Sequence, residues 1–261
     1  MNKKILVVFA LAILVAGSLL VYMEFAPTSN ETFEVSQIID GDTIRLSTGE
    51  KVRLIGINAP ERDQPFYGEA TQKLSQLIGN NHVILKKDVT EKDQYGRLLR
   101  YVYVNDSFVN LEMVKQGYAI SYSFPPNTKH LDEFEEVEQE ARNSQIGIWT
   151  PSPFTLTISS MHADAEGDDS ANLNDEYVVF ENEGNSTLIM TSWTVQDEAN
   201  NFYIFPELGF TNGSTLTLYT GSGTDTTTQL YWGNDKPIWN NDGDSLYLRD
   251  AEGLLVAYYS Y

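Results

Sequence analysis

The chain has 261 residues, no cysteine, and 37 acidic against 17 basic side chains, a formal charge of −20. That length accommodates two ordinary domains. The missing cysteine excludes a disulfide framework, cysteine-based zinc, thiol catalysis and a lipoprotein anchor, and so acid a chain is unusual for a protein that meets nucleic acid.

Met1-Asn2-Lys3-Lys4 is a positive start, and Ile5 to Met23 is an uncharged, mostly apolar run. The run is near the length of a membrane span and long for a signal peptide. It is expected to be an uncleaved anchor over residues 5–23 or a cleaved signal, with Ala16-Gly17-Ser18 as the cleavage site. Either way residues 1–31 act as leader plus linker, and the rest is extracellular or on the cell surface.

Phe33 to Ile39, Thr43 to Leu46 and Lys51 to Ile57 read as three consecutive strands, with turn chemistry at Asp40-Gly41-Asp42 and Ser47-Thr48-Gly49. Asp42 opens the second strand and Asn58 follows the third, and the two ends of an antiparallel hairpin lie side by side. Two hard oxygen side chains meeting there suit calcium or magnesium. Arg53 lies in the same hairpin, and Glu61 follows the corner at Pro60. A carboxylate to work on water, a hard cation and forked arginines are what phosphodiester cleavage needs.

Gly68 to Ile78 changes to helical period, with Ala70, Leu74, Leu77 and Ile78 on one face and Gly79 as the stop. His82 to Leu85 and Leu98 to Val104 are two further strands. Asn110 is expected to cap a short helix, Leu111 to Gln116. A last helix runs from about Leu131 to Asn143, with Phe134, Val137 and Ala141 inward and its acidic residues solvated. Three strands, a helix and two strands predict a five-stranded OB-type β-barrel with helices over residues 32–150, an α+β domain.

Three segments in this region, Asp40-Gly41-Asp42-Thr43, Arg53 to Glu61 (RLIGINAPE) and Asp93-Gln94-Tyr95-Gly96-Arg97, resemble the signatures of the staphylococcal nuclease, or thermonuclease, family. The similarity runs from about Phe33 to Trp149. It implies an OB-type barrel and a calcium-dependent nuclease acting on DNA and RNA with little sequence preference and 3′-phosphate products. It implies Asp42, Asn58 and the backbone carbonyl of Ala59 as calcium ligands, with Asp40 ordering ion-bound water. Glu61 would be the group that works on the attacking water, and Arg53 and Arg97 the phosphate-binding pair. Tyr122 and Phe124 would stack on nucleotide, the latter where the family has a second tyrosine.

Two features depart from that pattern. Asn58 stands where many members have aspartate, which weakens the ion site without abolishing it. From ligand charge alone, Asn58→Asp is expected to tighten calcium. The barrel region also carries a net of −5, so attraction for substrate must come locally from Arg53, Arg97, Lys86, Lys87, Lys92 and the ion.

Thr150-Pro151-Ser152-Pro153 reads as a short stiff linker, beyond which only Lys236 and Arg249 are basic and the net charge is −15. Short strands are expected at Phe154 to Ser159, Glu176 to Glu181, Thr191 to Gln196, Phe202 to Phe205, Thr215 to Tyr219, Ser245 to Leu248 and Leu254 to Ser260. Strands at this spacing without helices predict an all-β sandwich over residues 151–261. Asn174 to Val178, Ser192 to Val195 and Trp239 to Asp244 resemble a lamin-tail domain, an immunoglobulin-like sandwich. Trp193 and Trp239 read as core, and the acidic run Asp164 to Asp169 as a loop. The expected protein is a monomeric exported nuclease with DNA and RNA as partners and an unassigned partner for its second domain. The alternatives are a catalytically silent binding or adhesion protein on the same barrel, and a structural envelope protein whose acidity suits a salty exterior.

Overall fold

A computed structural model describes residues 31–261. The leader or anchor expected at residues 5–23 lies outside the described residues. Strands β1 (Thr32–Ile38), β2 (Thr43–Leu46) and β3 (Lys51–Leu54) form an antiparallel meander, in register at Ile38↔Ile44 and Thr43↔Arg53. β5 (His82–Lys86) lies beside β1 and pairs antiparallel with β6 (Leu98–Val104), whose start runs parallel to β3 at Val52↔Leu98. That last pairing closes five strands into the expected barrel, with the two-residue β7 (Ser107–Phe108) added at β6.

Inward positions alternate along the strands as a half-buried sheet requires. Ile44, Leu46, Val52, Leu54, Val83 and Val102 fill the barrel. Helix α1 (Tyr67–Ile78) buries Ala70, Leu74 and Ile78 against them. Helix α2 (Val109–Lys115) and helix α3 (Leu131–Asn143) complete this lobe and pack on each other.

The third strand is shorter than its sequence pattern suggests. At Ile55 the amide turns to donate to Arg100 O at 3.0 Å, and Gly56 takes φ +80°, where a β-carbon would lie 2.2 Å from the Phe134 ring. Only glycine fits that close approach. Asn110, expected to cap α2, is instead buried in its first turn. Its Oδ1 accepts from Val102 N and its Nδ2 donates to Ile55 O, both at 2.8 Å, so it fastens the break to β6. Beyond the break, β4 (Ile57–Asn58) pairs with β8 (Ile120–Ser121). The inward face of α3 also differs from expectation. Phe134 and Ala141 are buried and Val137 half-buried, but Glu138 is buried with them, accepting from Ser121 N at 3.1 Å and Arg142 Nη2 at 3.3 Å.

The second lobe is a sandwich. One sheet orders β16 (Gln229–Tyr231), β15 (Thr215–Tyr219), β10 (Tyr177–Glu181) and β9 (Thr157–His162). The other orders β13 (Phe202–Ile204), β12 (Thr194–Gln196), β17 (Ser245–Arg249) and β18 (Leu255–Ser260). A small pair, β11 (Leu188–Ile189) with β14 (Gly209–Phe210), and the three-residue β16 add to the expected strands. Trp193 and Trp239 are buried in the core with Phe180, Phe205 and Leu246.

Residues 33–261 form one compact unit, because the lobes share a third apolar cluster. Ile120, Ala141, Ile148 and Trp149 of the first lobe meet Tyr247, Leu255 and Tyr258 of the second. Arg249, buried, donates to Ile148 O at 2.5 Å and Gly253 O at 3.3 Å. The expected linker is not a free tether. Leu255 N donates to Thr150 O and Ser152 N to Leu255 O, which lays residues 150–152 against β18.

Candidate active site

The site starts at the β1–β2 turn. Asp40 Oδ1 accepts from Asp42 N at 3.1 Å, the local turn that Asp-Gly-Asp favours. Gly41 must be glycine, since a β-carbon there would sit 2.6 Å from that of Ala59 and 2.8 Å from that of Ala70. This close approach carries Asp42, 3% exposed, beneath the segment that follows the break in the third strand.

Asp42 Oδ2 accepts from Ala59 N at 2.9 Å, and Oδ1 accepts from Thr43 Oγ1 at 3.0 Å. Arg53 spans the hairpin. Its Nη1 donates to the carbonyls of Leu54 and Ile57 at 2.8 Å each. Its Nη2 reaches both Asp42 Oδ2 at 3.0 Å and Asn58 Oδ1 at 2.9 Å. The oxygens of Asp42 and Asn58 therefore converge on one point of positive charge, the juxtaposition expected of the two hairpin ends.

Glu61 is exposed, its backbone N–H tied to Gln64 Oε1 at 2.8 Å and its carboxylate without a hydrogen bond among the described residues. Partial burial and the charge of Asp42 push its carboxyl up, while Arg53 and Arg97 pull it back. Asp40 is pushed up to about 6 by burial and then by the charge of Asp42. Anionic groups crowd this end of the barrel.

Arg97 comes from the turn between β5 and β6. Gly96, at φ +78°, turns the chain, and Asp93 holds the arginine, accepting from its backbone N at 2.9 Å and its Nε at 2.6 Å. Arg53 and Arg97 line one cleft with Asp93, Tyr122, Phe124, Asn127 and the Leu54–Ile57 segment. Phe124 is about half exposed, as a stacking platform must be. Tyr122 N donates to Gly56 O at 3.0 Å, and burial, then the charge of Asp197, raises its hydroxyl.

Lys92 is exposed and does not line this cleft. Lys86 lies over the Tyr103 ring at 4.2 Å and Lys87 sits 3.8 Å from Glu91, so neither points a free charge at it. Asp93 and Asn127 are site residues that the sequence pattern does not single out. For Asp93 the local signal is its two-residue spacing to Tyr95, whose N–H donates to it at 2.9 Å. Two further contacts had no local signal at all: Asn58 Nδ2 donates to Glu198 O at 2.9 Å, and Asn200 Nδ2 reaches Ala59 O at 3.5 Å, both across the lobes.

The donors suit a hard divalent cation by type: one carboxylate, one amide oxygen and one backbone carbonyl, with Asp40 beside them. Among the described residues no three carboxylate or histidine side chains gather to hold a metal, so such an ion would rest on few charges.

The model of the Staphylococcal nuclease homologue family matches residues 51–151, and that of the Lamin Tail Domain matches 150–261. A thermonuclease of Staphylococcus intermedius is 37% identical over 128 residues, covering 46% of this chain and 76% of that protein. Endonuclease YncB of Bacillus subtilis is 37% identical over 131 residues, 46% of this chain and 62% of its own length. The SPbeta prophage-derived endonuclease YokF of the same organism is 35% identical over 127 residues, 44% of this chain and 43% of its own length.

Proposed function

This chain belongs to the staphylococcal nuclease family and is a nuclease, and we propose that it is an exported, calcium-dependent enzyme hydrolysing phosphodiesters of DNA and RNA. The observation that carries this reading is the placement of Arg53 and Arg97 on one cleft beside Tyr122 and Phe124, with Glu61 within reach of the charges of Asp42 and both arginines.

A phosphodiester in that cleft meets two guanidiniums that neutralise charge as it develops on the phosphorus oxygens. Tyr122 and Phe124 offer ring faces to bases of any identity, which fits low sequence preference. Glu61 accepts the proton of the attacking water or orients it. A carboxyl raised from its ordinary value by burial and by the charge of Asp42 is a better base for that step. Asp42, Asn58 Oδ1 and the Ala59 carbonyl are the oxygens that would hold calcium, with Asp40 ordering water around it. When bound, calcium supplies positive charge to a phosphate oxygen.

Substrate affinity rests on the barrel, since the sandwich has only two cations and one, Arg249, is buried. Export rests on the positive start and apolar run of residues 1–23. The test is incubation of residues 30–261 with single-stranded DNA and with RNA, in calcium or in chelator. Cleavage of both with calcium and of neither with chelator is expected. Cleavage indifferent to calcium breaks the mechanism, and no cleavage in either condition leaves a silent binding module.

A further inference from the structure

The residue assigned to the ion through its amide oxygen is also a residue that touches the other lobe. Asn58 is 7% exposed and its amide has two partners of opposite kind. Oδ1 accepts from the Arg53 guanidinium, which can only donate, and Nδ2 donates to the Glu198 carbonyl, which can only accept. The amide orientation is therefore fixed, oxygen toward Asp42 and nitrogen toward the sandwich. An aspartate here would present an oxygen to the Glu198 carbonyl.

Glu198 lies in the β12–β13 loop, Asp197–Asn201, and that loop is itself held. Asp197 is fully buried and its carboxylate accepts from Asn201 N at 2.7 Å and Nδ2 at 2.5 Å. The Glu198 carboxylate accepts from Ser245 Oγ at 2.6 Å, and Glu198 N donates weakly to Asp244 Oδ1 at 3.4 Å. Asn200 adds its long contact to Ala59 O. Through Ser245 the loop is anchored to β17, the strand whose Tyr247 and Arg249 fasten the lobes together.

We propose that the sandwich loop Asp197–Asn201 is a positioning element of the nuclease site, holding Asn58 and Ala59 in place to serve as calcium ligands. The proposal rests on the assignment of those two residues to the ion. It assigns a role to the second lobe, and it accounts for the amide: a docked sandwich requires a donor at position 58, which a carboxylate lacks. Groups that orient metal ligands typically change affinity by about 10- to 100-fold when lost.

The experiment is a double-mutant cycle in the full chain. One change is Asn58→Asp. The other replaces Asp197–Asn201 by Asn-Gly, which joins the paired residues Gln196 and Phe202 through a two-residue hairpin turn. Calcium binding is measured by calorimetry and stability by thermal melts without calcium, with cleavage of single-stranded DNA in parallel. Loop replacement should weaken calcium binding about tenfold. Asn58→Asp should lower the melting temperature of the intact chain and leave calcium binding no tighter. In the loop-replaced chain the same substitution should cost no stability and should tighten calcium. Asn58→Asp tightening calcium by one factor in both backgrounds, at no cost in stability, overturns the proposal. If the loop replacement does not fold, tighter calcium with an unchanged melting temperature in intact Asn58→Asp overturns it alone. A parent chain that neither binds calcium nor cleaves DNA defeats the nuclease reading instead, and the calcium-free melts still report whether Asn58 and Glu198 are coupled.

Discussion

Of the 15 basic residues beyond residue 32, 13 lie in the barrel region and two in the sandwich, while acidic residues are divided almost evenly, 18 and 17. The barrel places its cations at work: Arg53 bridges Asp42 and Asn58, and Arg97 is aimed by Asp93 into the cleft. The sandwich buries Arg249 on carbonyl oxygens at the junction and keeps carboxylates, Asp197, Glu198 and Asp244, on its side of the site. Chemistry is thus confined to one lobe, and the other contributes shape and an acidic surrounding. The division predicts that changes at Glu61 and Arg97, on the barrel's open cleft, strike turnover and leave folding intact, whereas changes at the junction of the lobes strike stability first.

The largest separation is expected at Glu61. Glu61→Gln should slow hydrolysis about 10²- to 10⁴-fold, since an amide accepts no proton. The exposed side chain, whose carboxylate has no hydrogen bond among the described residues, predicts an unchanged melting temperature and unchanged calcium binding. Turnover within a few-fold of the parent would remove Glu61 from the mechanism. Arg97→Ala should follow, costing about 3 kcal/mol of transition-state stabilisation, near 100-fold in rate. Its melting temperature should move little, because its ion pair with Asp93 is partly exposed. A large loss of stability with full activity would make it structural.

The converse test is Arg249→Met. Two donors vanish and Ile148 O is left buried without its partner, a loss of about 2–3 kcal/mol. For a unit of this size that lowers the melting temperature roughly 5–10 °C, measured by tryptophan fluorescence, since Trp149 packs 5.8 Å from Tyr247. An unchanged melt would mean that the lobes are held by apolar contact alone.

The same contrast explains what the sequence could disclose. Strands β2 and β6 and helix α3 lie where their patterns predict because each has a local period and local stops. Asp42, Arg53 and Asn58 were legible as neighbours because a hairpin fixes its own register. The break after Leu54 was not, since apolar alternation runs on through Ile57 and the cause is tertiary, the Phe134 ring over Gly56 and the Asn110 amide beneath Ile55. Glu138 was legible in principle: it stands four residues after Phe134 and three before Ala141, on the face already read as inward. The contacts of Glu198 and Asn200 with Asn58 and Ala59 span about 140 residues and depend on docking two lobes, for which a single sequence carries no period.

Glu138 also supplies the smallest effect, and it tests the junction through pH. Burial pushes its carboxyl from an ordinary 4.5 up to about 7 against the pull of Arg142, and burial likewise raises Asp197 to about 7. A carboxyl raised in the folded state keeps a proton that the unfolded chain releases near its ordinary value. Between those values the folded protein binds more protons, so stability is greatest below the window and falls as pH rises through about 4.5 to 7. The protein should therefore melt higher at pH 5.5 than at pH 7.5, opposite to a protein governed by salt-bridged carboxylates. Glu138→Gln keeps an acceptor for Ser121 N and cannot titrate. It should flatten this slope by about 1–2 kcal/mol across the window, a few degrees in melting temperature. Asp197 retains its share, so the slope should shrink and not vanish. A variant whose pH slope matches the parent would show that Glu138 ionises in place, with Arg142 fully compensating its burial. The strand β8 that pairs with Asn58 would then be pinned by an ion pair and not by a neutral hydrogen bond.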